Sequence, residues 1–197
     1  MAFLSGFRRA NIILAEIRSV VAHLESVRSP QATDREHPLY RRFPKAWLES
    51  EVRQQLEIVG ATLLKELVYG QVPAFAGGER GVLDLLAIDR SGRLTVLELK
   101  ASADLHLPMQ ALDYWLRVKW HLDRGEFTAR GYFPGITLRS VPPGSCWCHC
   151  RSSFTRPPKR FWPINSPIIE AKRVSLGVEW RRGLEVMFRL TGAQRPR

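Results

Sequence analysis

At 197 residues, with 45% hydrophobic and 25% charged residues, the chain has the composition of one ordinary globular domain, long enough to bury a single good core. It has no apolar run of bilayer-spanning length. Its three cysteines all fall between positions 146 and 150, not spread as in a disulfide framework. The formal charge of +11 favours a polyanionic partner, because fixed cations gain from releasing the counterions condensed on nucleic acid. Met1 to Arg9 lacks the basic stretch, apolar segment and cleavage site of a secretory leader, so a cytoplasmic protein is expected.

In chain order, Arg8 to Arg28 reads as a helix, with Ile13, Ile17, Val20, Val21 and Leu24 at helical spacing and Ser29-Pro30 ending it. Gln31 to Pro44 is a polar connector. A second helix runs from about Lys45 to Val59, with Leu48, Val52, Leu56 and Val59 on one stripe and Gly60 closing it. Leu67 to Phe75 reads as a first strand, with Pro73 marking an edge or a bend. Gly77 to Gly81 turns the chain into a second strand, Val82 to Ile88, and Asp89 to Arg93 is a hairpin connection into a third, Leu94 to Lys100. A third helix spans about Pro108 to Leu122 and is expected to face Met109, Leu112, Leu116 and Trp120 inward. Lys172–Val178 and Leu184–Leu190 read as two further strands around Arg182-Gly183.

Charges stand where this pattern demands core. Asp84 lies inside the second apolar strand and Glu98-Leu99-Lys100 ends the third, although buried charge is costly. Strand alternation puts Val96, Glu98 and Lys100 on one face, and Asp84 sits beside Glu98 if the hairpin register allows. Two such carboxylates can hold a hard divalent cation, with water and substrate phosphate filling the remaining positions. Lys100 can position the attacking water or neutralise charge on the pentavalent phosphorus. The plain alternative is a structural Glu98–Lys100 pair at a strand end.

The order Asp84, Glu98-Leu99-Lys100, then Gln110-Ala111-Leu112-Asp113-Tyr114 resembles the PD-(D/E)xK nuclease superfamily. It is most similar to the RecB-like branch, whose Gln-x-x-x-Tyr motif follows the Glu-x-Lys strand on a helix. Gly81 to Ala87 also resembles the second strand of single-strand and mismatch endonucleases in that superfamily. The resemblance covers roughly Trp47 to His121, with Leu83 where the superfamily name has proline.

That resemblance implies an α/β fold: a restriction-endonuclease-like mixed central sheet flanked by helices, here with an N-terminal helical extension. It implies a Mg²⁺- or Mn²⁺-dependent deoxyribonuclease acting on DNA. Asp84 and Glu98 would be metal ligands, the Leu99 carbonyl a further ligand, and Lys100 the catalytic lysine. Gln110 and Tyr114 would orient the site or contact the DNA backbone. The superfamily's helix acid would be Glu49 or Glu51, and the apolar stripe favours Glu49 as the further metal ligand. Lys45, Arg80, Arg117, Lys119 and His121 are candidate phosphate contacts. A non-catalytic nucleic-acid-binding module that keeps the fold is the alternative function.

One stretch fits poorly. Such a core needs a strand after the third helix. At about Val141 to Phe154 the chain instead carries Cys146-Trp147-Cys148-His149-Cys150 among prolines and serines, without strand or helix periodicity. Zinc ligation lacks the usual spacing. Regrouping the bases so that each new codon takes the last base of one codon and the first two of the next turns every codon beginning with T into one for an apolar residue. Translation out of frame between two compensating shifts, over roughly 144–165, is therefore expected. The expected organisation is 1–44 helix and connector, 45–140 nuclease-like core, 141–165 anomalous segment and 166–197 C-terminal strands.

Overall fold

A computed structural model describes residues 2–29, 31–76, 78–102, 104, 106–150 and 169–192. The chain forms two compact units, Met1–Pro44 with Arg181–Gly183, and Lys45–Trp180 with Leu184–Arg197. In the first, α1 spans Ala2–Val27 and α2 Pro38–Arg41. The Arg28 guanidinium fastens the connector after α1 by donating to the carbonyls of Leu39 at 3.0 Å and Arg42 at 2.7 Å. Ile13, Ile17, Val20 and Val21 of α1 are exposed.

The second unit is a mixed α/β structure. Among the described residues, its six strands lie in sequence order: β1 Leu63–Ala76, β2 Glu79–Asp89, β3 Leu94–Lys100, β4 Gly144–Cys150, β5 Ala171–Leu176 and β6 Val186–Thr191. β1, β2 and β3 pair antiparallel, β3, β4 and β5 parallel, and β5 and β6 antiparallel. Among the described residues, the α-helices α3 Pro44–Gln54, α4 Leu107–Asp123 and α5 Glu126–Ala129 and a short 3-10 helix, Leu56–Ile58, accompany the sheet. Among the described residues, no helix is long and apolar enough to cross a membrane.

The β2–β3 hairpin is set by its turn. The Asp89 carboxylate accepts from the Ser91 amide at 2.8 Å, the Ser91 hydroxyl at 2.7 Å and the Arg93 amide at 3.0 Å. Burial works against its charge, but these bonds outweigh burial and hold its carboxyl below the ordinary value. The register that follows pairs Leu85 with Leu97 and Leu86 with Val96, which brings Asp84 and Glu98 to adjoining positions one step on.

Two expectations are corrected. Met109, Leu116 and Trp120 of α4 are exposed; the face turned to the core carries Ala111, Trp115, Val118 and Leu122. Trp115 decides it, because its buried indole N–H donates to the Pro143 carbonyl at 2.7 Å, at the entrance to β4. Residues 144–150, expected to leave the core a strand short, form that strand: β4 lies between β3 and β5 with all seven residues buried. A parallel strand covered on both faces needs no polar–apolar alternation, and cysteine behaves there as a small hydrophobe. The missing-strand argument for a frame change therefore falls. Residues 151–165 of the same expectation lie outside the described residues.

Candidate metal centre

β2 and β3 hand their two acids to each other. The Asp84 amide donates to Glu98 Oε1 at 3.1 Å, and the Leu99 amide donates to Asp84 Oδ2 at 2.8 Å. Each carboxylate thus satisfies a backbone donor of the neighbouring strand, where the ordinary ladder has just ended. Both acids are sealed in, Asp84 at 1% and Glu98 at 0% exposure. The remaining oxygens face two further side chains. Gln110 Nε2, from the first turns of α4, donates to Glu98 Oε2 at 3.0 Å. The Lys45 ammonium, from the start of α3, stands 2.6 Å from Asp84 Oδ1.

The electrostatics follow from this crowding. Burial, and then the charge of Asp84, push the Glu98 carboxyl up from 4.5 to about 8, against the opposing pull of its hydrogen bond and of Lys45. Lys45 is half-buried, which disfavours its charge, yet Asp84, Glu98 and Glu49 together raise its pKa. Glu49 is also raised, by burial first, with Asp84 adding and Gln71, Lys45 and Arg53 opposing.

The two helix acids separate clearly. Glu49 Oε2 accepts from Gln71 Nε2 at 2.5 Å, over β1, while Glu51 Oε1 accepts from the Trp47 indole at 3.0 Å. Glu49 is accordingly the acid that interacts with Asp84 and Lys45. Lys100 is engaged at the end of β3, its ammonium 3.3 Å from Asp104 Oδ2, and the other oxygen of Asp104 accepts from the His106 amide at 2.8 Å. Tyr114 lies one helical turn beyond Gln110, and its hydroxyl accepts from the Val82 amide at 3.2 Å. A Cβ on Gly81 would stand 2.5 Å from the Tyr114 ring, so the bare glycine is what lets the ring close over β2. Tyr114 therefore braces the strand that carries Asp84.

The candidate phosphate contacts are mostly committed elsewhere. Arg117 is buried, bonded to Asp113 at 2.9 Å and to the Ala74 carbonyl at 3.3 Å. Lys119 pairs with Asp123 at 2.5 Å, and His121 bridges Glu126 and the Phe75 carbonyl. The Arg80 guanidinium lies 6.0 Å from the centre of the Phe75 ring.

Sequence reasoning made Lys45 only a candidate phosphate contact, not a partner of Asp84, and overlooked Gln71 and Asp104. Lys45 had a signal, since it lies four residues before Glu49 and so on the same side of the helix.

Among the described residues, no group of three or more His, Cys, Asp and Glu side chains has the arrangement of a metal site. The donor set is a carboxylate pair, and Mg²⁺ is commonly held by one or two carboxylates completed by water and phosphate. The pair also suits a cation in its hardness, its burial and its charge, which is negative enough to draw a lysine ammonium to hydrogen-bonding distance. No protein-family model matches the chain, and no curated protein matches it.

Proposed function

We propose that this chain is a Mg²⁺- or Mn²⁺-dependent deoxyribonuclease of the PD-(D/E)xK superfamily, with a restriction-endonuclease-like fold and the motif set of the RecB-like branch. The observation that carries the reading is the Asp84–Glu98 pair, two sealed carboxylates from adjacent strands, Glu98 held by the Asp84 amide and Asp84 by the Leu99 amide. A second acid buried beside Asp84 adds a cost that the single charge of Lys45 leaves in place, seen in the raised Glu98 carboxyl, and a divalent cation would relieve it. The +11 charge supports a DNA partner.

Asp84 and Glu98 would hold the metal, with the Leu99 carbonyl and Glu49 as further ligands. The chemistry a bound Mg²⁺ or Mn²⁺ supplies is acidification of a water and clamping of the scissile phosphate. Water adds to phosphorus, the bond to the leaving nucleotide oxygen breaks, and one product keeps the phosphate. Gln110 orients Glu98 through its second oxygen, and Tyr114 braces the strand bearing Asp84. Lys100 would exchange Asp104 for substrate and stabilise the charge that develops at phosphorus.

A non-catalytic nucleic-acid-binding module is favoured by one observation: the Lys45 ammonium already offsets the charge of the pair. Cleavage of single- and double-stranded DNA with Mg²⁺, by the wild type and Lys100→Ala, separates the two. The nuclease reading predicts metal-dependent cleavage that falls by about 10²–10³-fold in the variant while DNA binding persists. Equal cleavage by both proteins overturns this nuclease reading, because the activity then does not pass through this site, and DNA binding with no metal-dependent cleavage favours the module.

A further inference from the structure

We infer that Gln71 is a positioning residue: a locally strained point of β1 that holds Glu49 on the Asp84 side of the centre. The inference rests on the metal-dependent reading above. It begins from a backbone outlier, since Gln71 has φ +53°, in the left-handed region, in the middle of a long strand. A non-glycine residue there is strained, and such strain gathers at functional sites.

The sheet does not require the distortion. Gly70 pairs with Leu85 and Val72 with Leu83, so the register is the same on both sides of Gln71 and no residue has been inserted. Extending the flanking pairs puts Asp84 opposite Gln71, the one step between Gly70 and Val72 where the two strands do not pair. A glycine would take the left-handed turn without strain, and the chain has one next door. Gly70, however, is not at positive φ. A Cβ there would stand 2.9 Å from Glu49 Oε1 and 3.4 Å from Arg53 Nη1, so the bare glycine leaves the Glu49 carboxylate room beside the strand.

Glu49 therefore lies flat on a bare patch of β1. One oxygen is over Gly70, and the other accepts from the Gln71 side-chain Nε2 at 2.5 Å. Lys45 and Arg53, one turn before and after it on α3, bear on its charge from either side. The side chain of Gln71 is what the strained backbone delivers.

The test is Mn²⁺ titrated into the full chain, by calorimetry or electron paramagnetic resonance, for wild type, Gln71→Gly, Gln71→Asn, Glu49→Ala and the double variant Glu49→Ala/Gln71→Gly. Gln71→Gly removes both the amide and the strain, and Gln71→Asn tolerates the left-handed backbone but shortens the reach. Both should bind Mn²⁺ about tenfold more weakly, the scale of losing a hydrogen-bond partner of a metal-binding acid. The Tm of Gln71→Gly should equal or exceed that of the wild type, which a merely structural glutamine would not allow. Adding Gln71→Gly to Glu49→Ala should weaken binding no further. The inference is overturned alone if the wild type binds Mn²⁺ and both single Gln71 variants bind it equally well, or if the double variant loses affinity beyond Glu49→Ala. A wild type that binds no Mn²⁺ overturns the proposed function and this inference with it.

Discussion

At the scale of the residue, the chain concentrates its electrostatic cost in Glu98. Its carboxyl, pushed from 4.5 to about 8 by burial and by Asp84, keeps in the folded state a proton that the unfolded chain releases. A group with a raised acid pKa binds more protons folded than unfolded between those two values, so stability falls as pH rises through that window. Without divalent cations, the wild type should lose about 5 °C of Tm between pH 5.5 and 8. Glu98→Gln should flatten that slope, and millimolar Mn²⁺ should reduce it by taking over the charge. A wild-type Tm that is level across this range would contradict the account. Asp84 and Glu98 were legible in the sequence because charges interrupted apolar strands. Gln71 was not, because one left-handed residue leaves no trace in a hydrophobic pattern.

At the scale of the element, the β2–β3 hairpin was readable because turn chemistry and apolar runs agree. Asp89, Ser91 and Arg93 close the turn through the hydrogen bonds that their residue types suggest. The existence of α4 was equally plain, but its orientation was not, since Leu112, Leu116 and Trp120 form one apolar stripe and Ala111, Trp115, Val118 and Leu122 another. Tertiary contact chose the stripe whose indole reaches Pro143. Trp115→Ala should therefore cost about 3–5 kcal/mol, whereas Leu116→Ala, on the exposed face, should stay within about 0.5 kcal/mol. Chemical denaturation of the two variants measures both, and the reverse order would return α4 to the face expected from its sequence. β4 was hidden for another reason: a strand buried on both faces has no period of two to detect, and its cysteines, tryptophan and histidine read as anything but a core strand.

At the scale of the whole molecule, the antiparallel hairpin brings the acids together, α4 supplies Gln110 and Tyr114 over them, and α3 contributes Lys45 and Glu49. Each of these side chains is thus fixed by an element whose place in the second unit depends on the sheet. Phosphodiester hydrolysis by the purified full chain, followed against added Mg²⁺ or Mn²⁺ beside Asp84→Asn, tests the central claim most directly. The account predicts hydrolysis that needs the divalent ion and that Asp84→Asn lowers by at least about 100-fold with DNA binding retained. Hydrolysis indifferent to the ion or to Asp84, or none at all from a folded, DNA-binding wild type, would contradict it.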